Sequence, residues 1–519
     1  MTPEDIRAYA QQGYNHIPLT REVVADLETP LSTYIKVASG PYSYLLESAG
    51  QGGEKWARYS MVGLPCRQIL KVTGHEVTLT VDGQIVSREE VEDPLGYVEN
   101  FQQQFRYPSI PGLPIYTGGL VGYFGYDTVR YVEHRLKDST PPDVIGTPDI
   151  LLMVSNDVMV FDNVKGKIHV ITHVNPADAD ALDKGSRRLD EMIKGLSEVI
   201  PESIRHPDVA PAIHEEDFVS SYGQENFMAD VSKIREYIMA GDVMQVVLSQ
   251  RMSVSMEGSP LNLYRALRSL NPSPYMYYMD LGDFHIVSSS PEILARLDNG
   301  DVTVRPLAGT RRRGRDLRED EALEQELLAD PKEIAEHLML IDLGRNDIGK
   351  VCQTGSVRVS EMMIVERYAH VMHIASNVSG VIRPEYSAMD LLRATLPVGT
   401  LSGAPKVRAL EIIDECEPVK RGIFGGAVGY LSWNGNMDTA IAIRTAIVKD
   451  NQLYIQAGAG VVADSVPALE WKETMNKARS IFRAASLAES GLALGQAEEN
   501  PRGTNKDETR PVVSEEQQP

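Results

Sequence analysis

The chain has 519 residues, 42% hydrophobic and 24% charged, the profile of a soluble globular protein able to bury a large core. Fifty-one basic against 73 acidic residues leave a formal charge of −22, which argues against nucleic acid and anionic membrane as main partners. No charged-then-apolar leader and no apolar run of about 18 residues occurs, and Cys66, Cys352 and Cys416 make no CxxC pair, so a cytoplasmic protein with reduced thiols is expected.

Up to about residue 170, strand-like runs alternate with Gly/Pro turns: SYLLESA (43–49), RQILKVTGHEVTLTVDGQIV (67–86), GGLVGYFGYD (118–127) and DILLMVSNDVMVFDN (149–163). This pattern predicts a mainly β region with a few helices. Residues 176–200 read as helix, and PESIRHPDVAPAIHEED (201–217), rich in Pro and charge, reads as a linker. Beyond it the pattern predicts helix near 223–241, strand 243–254, helix 261–269 and strands across 275–305. Helices follow at 320–344 and 386–396, then strands at 425–432, 438–448 and in QLYIQAGAGVV (452–462), and a last helix from 467 to about 489. The expected division is an α+β region over 1–200, a linker over 201–217, a main domain over 218–489 and a disordered tail over 490–519, which has almost no large apolar residues. GGLVGY (118–123) and GGAVGY (425–430) echo each other, but no fixed period follows, so the chain is not a repeat protein.

Two helices carry acidic pairs. In KEIAEHLMLIDLGRND (332–347), the 100° helical step puts Glu333, Glu336 and His337 in one sector and Ile334, Leu338 and Ile341 in an apolar one. In the last helix Glu470, Glu473 and Lys477 share a sector beside Trp471, Met475, Ala478 and Phe482. Two E-x-x-E pairs meeting across a cleft could hold a hard cation such as Mg²⁺, which takes oxygen ligands and is commonly held by one or two carboxylates plus the substrate's own anions. The alternative is a pair of solvated helix faces with i,i+4 ion pairs such as Glu473–Lys477. A di-iron bundle fits poorly, because it wants a Glu-x-x-His pair on each of two helices. Spacing alone does not decide between the first two.

The glycines of QAGAGVVADSVP superficially match a dinucleotide fingerprint. That motif needs a helix to start at once, whereas here VVADSVP intervenes before a helix opening at Pro467 with Ser465 as its expected cap. Either the backbone approaches a small anionic ligand there, or the glycines mark a tight strand end.

Taken together, SSSPE (288–292), RPLAGT (305–310), EIAEHLMLIDLGRND (333–347), VMHIASNVSG (371–380), GTLSGAPKVRALEIID (399–414), GGAVGY, AIRTA (442–446) and QAGAGVVADSVPALEWKET resemble the chorismate-binding enzymes. The resemblance covers residues 14 to 488 and rests on eight motifs in order. It implies an α+β fold of large antiparallel β-sheets flanked by helices, with the N-terminal region packed intimately against the rest. It implies Glu336 and Glu473 as Mg²⁺ ligands, with Glu333 and Glu470 as neighbouring acids of the same site. Glu292 matches the general acid that protonates the departing C4 hydroxyl, and His373 an active-site histidine. Gly309, Thr310, Thr400, Phe424, Arg444, Lys477 and the backbone at Gly458, Ala459 and Gly460 match the chorismate-contacting positions. A cation and Arg444 suit a dianionic substrate in a protein of charge −22. The run RRRGR (311–315) reads as a mobile, solvated loop.

Two positions separate the branches of that family. Isochorismate-forming relatives carry a lysine base in K-V-V where this chain has Gln245-Val246-Val247, and an amide cannot serve as a base. Aminodeoxychorismate-forming relatives usually have a nucleophilic lysine before Gly-Thr, where this chain has Ala308. The resemblance is therefore to the large subunits of the anthranilate-forming branch. It implies a separate glutamine amidotransferase subunit as ammonia source, since no G-x-C-x-G motif with its His and Glu is visible. It also implies feedback by L-tryptophan at Ser48, Pro274, Tyr275 and Met276, from LLES (45–48) and NPSPYM (271–276). Family members commonly have tyrosine where this chain has Phe424.

Overall fold

A computed structural model of the chain describes residues 1–49, 58–368 and 371–493. Two antiparallel sheets of twelve strands each carry the fold. Each sheet takes strands from both ends of the chain. In the first sheet Ser43–Glu47 pairs with Tyr275–Asp280, which joins the N-terminal strands to His285–Ser290, Thr445–Lys449, Gln452–Val461 and Gln245–Ser255. In the second, Gly119–Phe124 pairs with Ala427–Ser432, with Gly122 opposite Gly429. The two echoing glycine motifs are thus partners. A Cβ at Gly122 would meet Leu151 O at 1.9 Å, and one at Gly429 would meet Asp438 O at 2.1 Å, so both glycines permit close backbone approach. Every residue of Gly119–Phe124 and of Ile150–Ser155 is buried, so these strands read as continuous apolar runs rather than alternating ones.

The helices follow local rules with informative exceptions. Asp330 caps Pro331–Gly349 by accepting from the amides of Lys332 (3.0 Å) and Glu333 (3.5 Å), with proline in the first turn. Its buried face runs through His337, Leu340, Ile341 and Ile348. The expected apolar sector is therefore displaced: Leu338 is 41% exposed while His337 is fully buried, its Nε2 2.7 Å from Ser376 Oγ. Steric fit under the sheet selects this face, with Gly344 letting Val304 and Val378 approach. A second correction concerns Pro467–Glu489, whose N-cap is Val466; Ser465 Oγ instead accepts from the amide of Val462 at 3.0 Å. The helix Lys406–Cys416 also has no side-chain cap, and the Ser402 hydroxyl donates to Val398 O. Residues 201–217 hold two short helical turns, Glu202–Arg205 and Glu215–Asp217. This segment is pinned to the last helix by Ala210 N donating to Glu489 O (2.9 Å) and by the Arg479–Glu215 pair (3.0 Å). Of the tail, residues from 494 onward lie outside the described residues.

Candidate active site

Two of the places where the chain crosses from one sheet to the other are adjacent. One crossing lies between His285–Ser290 and Ile293–Asp298 and carries Glu292; the other lies between Met437–Ile441 and Thr445–Lys449 and carries Arg444. Ile441 N donates to Glu292 O at 3.0 Å, which binds the crossings together. Glu292 is 6% exposed and its Oε1 has no hydrogen-bond partner. Burial pushes its carboxyl up to about 8, only partly offset by the Leu307 amide, the Thr400 hydroxyl, Arg444 and Lys477 nearby. It is therefore largely protonated at neutral pH. Arg444 holds the left-handed region at φ +48° and is half-buried. Its guanidinium makes no hydrogen bond or ion pair among the described residues, and burial lowers its pKa against the opposing pull of Tyr368 and Glu292. A desolvated, unpartnered cation beside a neutral acid is suited to receive a substrate carboxylate.

Strand divergence supplies a second recognition surface. Thr445–Lys449 flanks Gln452–Val461 only from Gln452 to Ile455, and beyond that point the edge facing Arg444 has no β partner. That edge carries Gly458, Ala459 and Gly460, whose other side pairs with Ser249, Leu248 and Val247. The glycines therefore lie inside a strand and leave backbone groups open toward Arg444. A Cβ at Gly460 would stand 2.6 Å from Gln245 Nε2, so the buried Gln245 packs against this strand, its Oε1 unpartnered. Lys477 reaches across from the last helix and donates to Gly458 O at 2.9 Å.

Opposite stands a bulge at one edge of the second sheet. Ala308 pairs with Ile374 and Arg311 with Met372, so Gly309 and Thr310 together oppose His373. Gly309 has φ +66°, a conformation that glycine adopts freely. His373 Nδ1 donates to Gly309 O at 2.8 Å, with Thr310 Oγ1 at 3.1 Å. Its Nε2 is thus a buried, unpartnered acceptor. Burial, with Arg444 and Lys477 adding to it, lowers this imidazole to about 4, so it is neutral at pH 7.

The two acidic pairs converge on this cleft. Glu336 is raised by burial first, then by Glu333 on its own helix and Glu473 on the last helix, with Lys477 and Lys332 opposing. Glu470 is raised by burial and by Glu473, and lowered by Ser465 and by Lys332 from the other helix. Each helix thus acts electrostatically on the other. Glu333 touches the bulge, its Oε2 3.1 Å from where a Gly309 Cβ would be, and receives Arg311 at 3.2 Å. Glu473 pairs with Lys477 at 2.8 Å, so the i,i+4 ion pair is present as well as the convergence. Among the described residues no three His, Cys, Asp or Glu side chains are drawn closely enough together to hold an ion by themselves. An all-oxygen set of two carboxylates under mutual repulsion fits Mg²⁺ completed by water and substrate oxygens, and does not fit a soft metal.

Behind the site, the buried Arg421 donates to Glu417, to Leu401 O and to Val247 O (both 2.7 Å) and lies over the rings of Tyr126 and Phe424. It ties the Thr400 loop, the Gln245 strand and Phe424 into one body. RRRGR is not a solvated loop. Arg311 pairs with Glu326, Asp330 and Glu333, Arg312 with Glu319, and Arg313 with Asp320 and Tyr368 O. These partners come chiefly from the helix Leu317–Ala329, and the acidic run REDEALEQE that follows was the available signal. Sequence reasoning missed Tyr368, which acts on Arg444 and contacts His373 edge-on (5.5 Å), and Lys332. Neither belongs to a pattern that spacing would single out.

Ser48, Pro274, Tyr275 and Met276 come together away from this cleft. They line a pocket between the sheets with Glu47, Tyr59, Tyr277, Arg296 and Asp438. Tyr275 donates to Asp438 at 2.9 Å, and Arg296 stands 3.7 Å from the same carboxylate.

Among the described residues no helix is long and apolar enough to cross a membrane. Residues 43–483 match the family model of the chorismate binding enzymes. The chain is 57% identical over 492 residues to anthranilate synthase component 1 of Pseudomonas aeruginosa, covering 95% of this chain and all of that one. It is 54% identical to the protein of that name in Neisseria meningitidis, covering 95% and 99%. The crystal structure of anthranilate synthase component I from Streptococcus pneumoniae superposes with a TM-score of 0.74 at 38% identity, covering 89% of this chain and 99% of that one. The menaquinone-specific isochorismate synthase of Escherichia coli shares the fold at 19% identity and a TM-score of 0.67, covering 93% and 98%. Paired sheets, a cleft at their crossings and similarity over nearly the full length lead to one assignment: the chain belongs to the chorismate-binding enzyme family, among its anthranilate synthase component 1 members.

Proposed function

We propose that the chain converts chorismate and ammonia to anthranilate and pyruvate with Mg²⁺, drawing ammonia from a glutamine amidotransferase subunit and answering to L-tryptophan. The observation that carries the reading is the buried Glu292 carboxyl, protonated at neutral pH and set beside an unpartnered arginine. Ammonia adds at C2 of the ring, the double bonds shift, and the C4–O bond breaks. Glu292 delivers the proton that lets the C4 hydroxyl leave as water, because expelling hydroxide from an unactivated ring is slow. Loss of the C2 proton and cleavage of the C3–O bond then release pyruvate and leave anthranilate. Arg444 and the open edge at Gly458–Gly460 hold carboxylate oxygens, and the neutral His373 offers an acceptor at Nε2. Glu336 and Glu473 would hold Mg²⁺, with Glu333 and Glu470 beside them; the ion supplies positive charge for the substrate's carboxylate. Gln245 cannot activate water, which favours amination over hydration at C2.

For the inter-sheet pocket, aromatic and apolar walls with Glu47, Arg296 and Asp438 suit an aromatic zwitterion such as tryptophan. The purified chain is incubated with chorismate, MgCl₂ and ammonium at pH 8.5, following anthranilate fluorescence and pyruvate through lactate dehydrogenase. Equal amounts of both products support the reading. An aminated product without pyruvate, or no product with or without an amidotransferase partner, overturns it.

A further inference from the structure

Tyr277, Ser288 and Thr445 stand side by side on three adjacent strands of the first sheet, Tyr277 opposite Ser288 and Ser288 opposite Thr445. All three are buried, at 2%, 0% and 7% exposure, and their hydroxyls form one connected set. Thr445 donates to Ile443 O at 2.9 Å, which leaves its oxygen to accept from Tyr277 at 3.0 Å and from Ser288 at 2.8 Å. Ser288 Oγ also lies 3.4 Å from both Ile443 O and Arg444 O, and Ser289 N donates to Arg444 O at 3.2 Å. Ile443 O, just before the Arg444 α-carbon, is therefore held from this row by Thr445, and Arg444 O, just after it, by the amide of Ser289 next to Ser288. The Arg444 backbone sits in the left-handed region, where a non-glycine residue stays only when its surroundings fix it. At its far end the row reaches the inter-sheet pocket, because Tyr277 lines that pocket and pairs on its other side with Leu46, which lines it too.

The geometry points to Tyr277, Ser288 and Thr445 as positioning residues that set the backbone of Arg444 and link its placement to occupancy of the inter-sheet pocket. The second half rests on the reading of that pocket as a tryptophan site; the first half does not. An occupant that shifts Tyr277 withdraws one hydrogen bond from Thr445, loosening the constraint on residue 444 and the aim of its guanidinium. Conversely, a substrate carboxylate on Arg444 favours the row as it stands, so the two ligands oppose each other through differential affinity for two arrangements.

The test uses the full-length chain with ammonium as nitrogen donor. Thr445→Val removes the shared hydroxyl at constant volume, and Thr445→Ser restores it. The expected result is a chorismate KM raised about tenfold in Thr445→Val, with kcat changed less than twofold and KM recovered in Thr445→Ser, the signature of lost uniform substrate binding. Ser288→Ala moves KM the same way. An unchanged KM in Thr445→Val, or a fall in kcat alone that Thr445→Ser does not reverse, overturns the positioning role. For the link, Tyr277→Phe is assayed for inhibition by L-tryptophan and, separately, for L-tryptophan binding by calorimetry. Inhibition weakened at least tenfold with binding within threefold of the parent supports the link; inhibition and binding that weaken in parallel overturn it. Absence of calorimetric binding to the parent chain itself overturns the pocket reading and the link with it, while the Thr445 series still decides the positioning role.

Discussion

Replacing Glu292 by glutamine separates the acid's charge from its shape. In the folded chain this carboxyl titrates near 8, against an ordinary value of 4.5, and burial is the main cause. Folding therefore takes up a proton across roughly 3.5 pH units. The sign follows: the group favours the fold fully below pH 4.5, and that contribution declines as pH rises toward 8. The decline is about 1.4 kcal/mol per pH unit, on the order of 5 kcal/mol in total, and it is absent in Glu292→Gln, which stays neutral throughout. The stability of Glu292→Gln relative to the parent should thus improve by about 3 kcal/mol between pH 5.5 and 7.5 in parallel unfolding experiments. The direct assay is the infrared difference spectrum of parent minus variant, where a protonated-carboxyl band should be present at pH 7 and vanish with a midpoint near 8. With this pKa about nine-tenths of the acid is protonated at pH 7 and one-tenth at pH 9, so kcat at a fixed concentration of unprotonated ammonia should fall about tenfold over that range. The variant itself should lose at least about 100-fold in kcat. A midpoint below 6, or a stability difference that does not change with pH, would refute the argument from burial.

Other outcomes are expected. Glu336→Gln, which relieves repulsion from Glu333 and Glu473, should leave magnesium-free stability unchanged or higher by about 0.5 kcal/mol. The same change, or Glu473→Gln, should weaken the apparent affinity for magnesium at least about tenfold in titrations of activity and melting temperature. Phe424→Tyr should leave the chorismate KM equal or lower, and a clear rise would show that the ring position does not face the substrate. Arg421→Met strands Glu417 in the interior and should cost about 3–5 kcal/mol in unfolding experiments, with part recovered on adding Glu417→Gln.

The site was legible where local spacing fixes geometry. Three-residue separation puts Glu333 and Glu336, or Glu470 and Glu473, one turn apart in any helix, whatever the tertiary context. Which helix face is buried was not so fixed, because a sheet surface accepted His337 and left Leu338 outside. For the glycines of 458–460 sequence alone leaves ligand approach and a tight strand end open, and what opens their edge is the departure of the neighbouring strand after Ile455, a long-range event. The bulge at Gly309–Thr310 and the influence of Tyr368 on Arg444 likewise depend on pairings between segments over 50 residues apart. A charge run such as RRRGR looks solvated when read alone, and only the acidic helix after it supplies its partners.

The sharing of both sheets between early and late strands bears on how the chain is made. Ser432 donates to Gly118 O across 314 residues, and Gly119–Phe124, paired on one edge with Ile150–Ser155, finds its second partner only after Ala427–Ser432 has been synthesised. Its fully buried apolar strands must wait on the ribosome with an open edge, and closure comes late and slowly, as high contact order dictates. A nascent chain stalled before residue 427 would therefore be the aggregation-prone species, and the one a holdase chaperone should capture.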